Sequence, residues 1–171
     1  MTIAPDAEER RSLLRCAQCA AAQRALFHQR EKYQYKDQLF HESARKLYAI
    51  EPNHGELDVI STDGTIRRVA DISATQGHIV PTAIAYHGNF FVGNLNTFPI
   101  QEGSSKILKI TPSGQVKTVV TGVTTVLGVA FDREGNLYIL ENTPTPFTGK
   151  VLRVTDDGFE EIATGCSCLP Q

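Results

Sequence analysis

The sequence predicts an all-β protein: a partial β-propeller of about two and a half four-stranded blades, with an N-terminal α-helical segment. Three observations predict it. The segments Leu57–Thr65, Ile107–Gln115 and Val151–Phe159 read alike, an alternating strand running into a polar turn with a glycine. The turn glycines Gly64, Gly114 and Gly158 lie 50 and 44 residues apart, and self-similarity at ~40–50 residues is the signature of propellers and solenoids. A second text repeats between the first ones: Thr82–Asn94 returns as Gly128–Asn142, with Gly88 and Gly135 47 residues apart. In both copies a tight-turn triplet, His87-Gly88-Asn89 or Glu134-Gly135-Asn136, separates two apolar runs, which is hairpin chemistry. Finally, Val, Ile, Thr, Tyr and Phe crowd the strand positions, as a pleated, half-buried surface prefers.

Taken in chain order, residues 1–46 form an extension unlike the repeats. Ala7 to about Ala44 holds no Gly and no Pro and is rich in Ala, Arg, Gln and Glu, which predicts helix. Asp6 is placed to cap it, with Glu9 three residues on. Two readings stand for this helix: a solvated one, or a cover over an exposed sheet edge. The repeats follow over residues 47–165. A half-blade occupies 47–70 and lacks its first strand, and full blades occupy 80–122 and 126–165. The small residues of Gly128-Val129-Ala130 suit an innermost strand. A tail of 166–171 follows, where the repeat text breaks down.

Composition narrows the function classes. The chain has 171 residues, 41% hydrophobic and 21% charged, with a formal net charge of −2, so no electrostatic argument supports nucleic-acid binding. The charge is uneven: residues 1–46 carry nine Lys/Arg against six Asp/Glu, and the remainder eight against thirteen. No apolar run reaches the ~18 residues of a membrane-spanning helix, so no membrane span is expected. The Met1–Glu9 opening is acidic where a secretory leader has a basic start, so no leader is expected. Cys16 and Cys19 form a C-x-x-C, and Cys166 and Cys168 a C-x-C. Spacing alone leaves incidental thiols, a disulfide and a four-thiolate metal site open, with incidental thiols favoured by the alanine-rich helix around the first pair. There is no G-x-S-x-G, H-E-x-x-H or phosphate-cradling loop, so no catalytic residue is nominated.

In a propeller, the loops after the second and fourth strands of each blade share one face, at the mouth of the central channel. The second strands end at equivalent positions Glu51, Asn94 and Glu141, with Asn142 next. The loops between blades contribute His78 and Thr124-Thr125. Carboxylate and amide oxygens converging near an axis suit Ca²⁺ or another divalent cation, which makes Glu51, Asn94 and Glu141 the candidate metal ligands and His78, Asn94, Glu141 and Asn142 the candidate ligand-binding set. The competing reading is structural: buried polar groups normally bond to nearby backbone. The long loops Leu95–Ser105 and Thr143–Gly149 are better placed to touch a partner.

Several segments carry a family resemblance: Tyr48-Ala49-Ile50-Glu51-Pro52-Asn53-His54-Gly55-Glu56-Leu57-Asp58, Gly77–Ala83, Val92–Pro99 and Val126–Asp132. Over roughly Leu47 to Gly165 the chain resembles the ScyD/ScyE-type β-propellers, which are related in shape to the six-bladed NHL and SMP-30/gluconolactonase types. The resemblance implies a secreted or envelope-located propeller. Relatives of the SMP-30 type hold a divalent metal with Glu and Asn near the channel and hydrolyse lactones. Family members continue past the position of Gly165, so the chain is expected to be a truncated member. Three functional expectations follow: a binding or scaffold module of unknown ligand, a fragment of an SMP-30-like metal-dependent hydrolase, or a truncated product without independent function. Exposed blade edges would favour self-association.

Overall fold

The computed structural model describes residues 40–41, 46–142 and 149–165. The expected helix up to residue 39, all four cysteines, loop residues 143–148 and the tail 166–171 lie outside the described residues. The described chain is all-β. Twelve strands form three antiparallel sheets of four, each taking consecutive strands in order. The first sheet contains β1 (Phe40–His41), β2 (Lys46–Glu51), β3 (Glu56–Ser61) and β4 (Ile66–Asp71). The second contains β5 (Pro81–Tyr86), β6 (Phe90–Asn94), β7 (Ser105–Ile110) and β8 (Val116–Val123). The third contains β9 (Val126–Phe131), β10 (Leu137–Asn142), β11 (Gly149–Thr155) and β12 (Gly158–Thr164). One helical turn, α1 (Ser73–Gln76), lies between the first two sheets.

Two sequence expectations change at the start. The helix expected to reach Ala44 gives way at Phe40–His41, which pair with Leu47 and Lys46 as β1. The first sheet therefore has the short first strand that the repeat text lacked. A strand of two residues is too short to carry a period-2 pattern, so nothing in the sequence marks it.

The repeat is visible in the turns at atomic detail. In the β3–β4 turn Ser61 N–H donates to the Thr65 carbonyl (2.9 Å) and Gly64 N–H to the Ser61 carbonyl (2.9 Å). The β7–β8 turn repeats this with Thr111, Gln115 and Gly114 at 3.0 and 2.8 Å, and the β9–β10 turn with Asp132, Asn136 and Gly135 at 3.1 and 3.3 Å. The three glycines share φ values of 84°, 90° and 87°, the left-handed residue that closes a three-residue hairpin loop with a bulge.

Strand alternation builds two cores from the one central sheet. Phe90, Val92, Leu108 and Ile110 point towards the first sheet and meet Leu57, Ala70, Ile72 and Ile79. Their neighbours Phe91 and Ile107, with Ala83, Val120 and Val123, point the other way onto Val126, Leu137, Ile139 and Leu152 of the third sheet. Period-2 burial on both faces makes β6 and β7 nearly continuous apolar runs. The register slips between Ile107 and Leu108 on the β7–β8 ladder, so β8 sends Val116 to one core and Val120 to the other. Between sheets, β2, the second strand of the first sheet, lies against β5, and β5 lies against β9, the first strands of the other two. Thr82, in the β5 bulge, donates its hydroxyl across the gap to the Val126 carbonyl of the third sheet.

Candidate functional site

The buried polar side chains of the described residues gather at one place, the loop end of the second and third sheets. They are Asn94, Ser105, Thr124, Thr125 and Glu141. Each sits where a strand runs out into a loop, so its backbone surroundings are no longer wholly satisfied by a ladder. Asn94, at the end of β6, accepts from the Lys106 N–H (2.7 Å) and donates through Nδ2 to Asn96 Oδ1 (3.2 Å). Asn96 then donates to the carbonyl and hydroxyl of Ser104, both at 3.0 Å, which pins the two ends of loop 95–104 together. The Ser105 hydroxyl accepts from Thr125 N–H at 3.0 Å. Thr124 ties the two sheets: its hydroxyl accepts from Gly103 N–H (2.8 Å), and its own N–H donates to Glu141 Oε2 (2.8 Å). Asn142 N–H donates to the Thr125 carbonyl at 3.1 Å. Among the described residues no buried side-chain nitrogen or oxygen is left without a partner.

The predicted residues fall into two groups. Asn94, Glu141 and Asn142 belong to this network, as do Thr124 and Thr125. Glu51 holds the equivalent position in the first sheet but does a different task. It folds over its own loop, accepting from Asn53 N–H (2.9 Å), His54 N–H (2.6 Å) and His54 Nδ1 (3.0 Å). The backbone N–H groups of His54 and Asn53 hold its carboxyl below the usual range. His78 is exposed in the loop before β5, outside the network. Among the described residues no three His, Cys, Asp or Glu side chains come together as a metal site.

Sequence reading missed Asn96, Gly103, Ser104 and Ser105 as framework. Asn96 adopts φ 71°, a conformation that Asn tolerates better than most residues, and the Asn94-Leu95-Asn96 spacing was the available signal. Between these anchors the loop carries Phe98, 91% exposed at its tip.

No protein-family profile matches the chain, and no curated protein matches it. Among the described residues no helix is long and apolar enough to cross a membrane.

Proposed function

We propose that the three sheets are propeller-type blades of a ScyD/ScyE-like binding or scaffold module, with loop 95–104 as its contact element. The observation that carries this reading is the use made of the loop-end polar groups. The Glu141 carboxylate and the Asn94 carbonyl oxygen both accept from backbone N–H groups at 2.8 and 2.7 Å. The network braces the loop and leaves Phe98 in water. An aromatic ring held out on a rigid loop offers large contact area at low entropic cost, which suits recognition.

The experiment is calorimetric titration of the full chain with Ca²⁺, Mn²⁺ and Zn²⁺, run beside a chromogenic lactone assay with and without chelator. The binding-module reading expects no stoichiometric metal uptake and no chelator-sensitive hydrolysis. One-to-one metal binding together with hydrolysis that chelator abolishes overturns it in favour of an SMP-30-like hydrolase.

A further inference from the structure

We infer that this chain binds a second copy of itself head to tail, the outer face of the third sheet of one copy docking on the outer face of the first sheet of the other; this rests on reading the sheets as propeller-type blades. The molecule already contains this interface twice. The first sheet meets the second, and the second meets the third, through equivalent faces. Call the face that each sheet offers to its successor leading, and the opposite face trailing. The third sheet then keeps a leading face outside both cores, and the first sheet a trailing face.

The equivalent positions show that both faces have the composition of the contacts already made. On the trailing side, Phe90, Val92 and Ile110 of the second sheet correspond to Leu47, Ala49 and Ile60 of the first. Val116 pairs with Ile110 and lies against the first core. Its counterpart Ile66 pairs with Ile60 and is 64% exposed. On the leading side, Ala83, Phe91 and Ile107 correspond to Gly128, Tyr138 and Val151 of the third sheet. Thr82 and Leu127 are the bulge residues skipped by the first ladder of their sheets. Thr82 reaches the next sheet, whereas Leu127, which meets no further sheet among the described residues, is 47% exposed.

Two positions of the first sheet's outer face depart from the apolar pattern, Asp58 and its cross-strand partner Arg68, which stands where the second sheet carries Thr118. Asp58 stands where the other sheets carry Leu108 and Leu152, and the third sheet presents Arg153 one residue beyond Leu152, on its leading face. Arg153 is ion-paired with Glu160 across the strands, and Asp58 stands opposite Arg68, so each outer face carries its carboxylate and guanidinium side by side and presents no net repulsion to the other. Head-to-tail contacts close when the rotation permits. Two copies bring six sheets together, within the roughly four to eight that complete a propeller ring.

The test is the solution mass of the full-length chain by light scattering over a dilution series, for wild type, Ile66→Asp and Leu127→Asp. Both substitutions are on exposed side chains, and thermal CD checks that each variant keeps the wild-type fold. Wild type is expected at twice the 18.8 kDa chain mass, and each variant at the single mass. Mixing the two variants is expected to restore a dimer, because one of its two contacts then carries both substitutions and the other carries neither. A wild-type monomer with a cooperative melt overturns the inference while leaving the blade reading standing. A dimer indifferent to both substitutions overturns it as well, and a non-cooperative melt of wild type overturns both.

Discussion

Asp58 illustrates how one residue departs from an otherwise repeated pattern. Burial pushes its carboxyl above the usual range, and the nearby charges of Glu56 and Glu51 push it the same way, against Arg68. With the folded value above the unfolded one, the native state holds the extra proton between the two. Stability therefore falls as pH rises through that window. Asp58→Asn is expected to raise the melting temperature at neutral pH, and the gain is expected to vanish in acid, where Asp58 is protonated in both states; melts across pH check this. Glu141 makes a different point. Its carboxylate accepts from Thr124 N–H inside a buried network, so Glu141→Ala leaves a buried donor unpaired and is expected to cost about 1–3 kcal/mol. Glu141→Gln keeps an acceptor oxygen and is expected to cost less than half of that, measured by urea unfolding. A carboxylate kept only to hold a metal would not be rescued in this way.

At the level of elements, the repeated hairpin turns share one geometry but not one environment. Gly64 and Gly114 have nearly the same φ, 84° and 90°. A side chain at Gly64 would meet nothing within 4 Å, whereas one at Gly114 would run into the Val69 backbone carbonyl of the neighbouring sheet. Gly64→Ala is therefore expected to cost only the left-handed penalty of about 1–2 kcal/mol. Gly114→Ala is expected to cost clearly more, because backbone must move as well; paired denaturant titrations give the difference. The turn glycines were legible in the sequence through their spacing. The contact of Gly114 with Val69 was not, because it joins residues from two sheets that no local pattern relates.

For the molecule as a whole, the central sheet carries both cores. Ile107 and Leu108 are adjacent in β7, fully buried, and face opposite ways. Truncating either to Ala is expected to cost about 2–5 kcal/mol. Because each core shares the same sheet, both variants are expected to shift one common transition, with near-UV and far-UV signals coinciding. Two separate transitions in either variant would mean that the outer sheets melt independently.

The sequence by itself determined the three-fold repeat, the hairpin turns, the alternation of each strand and the loop positions of Asn94 and Glu141. These are local properties, set by period-2 burial and by the few residues that tolerate a left-handed turn. Only the tertiary structure decided which face of each strand meets which sheet, and that Thr124 bridges Gly103 to Glu141. It also separated Glu51, folded over its own loop, from Asn94 and Glu141, which occupy the same place in the repeat. Equivalent positions acquire different partners because hydrogen bonds at a strand's end are made to whatever backbone donor packing brings within about 3 Å, and packing is settled between sheets rather than along the chain.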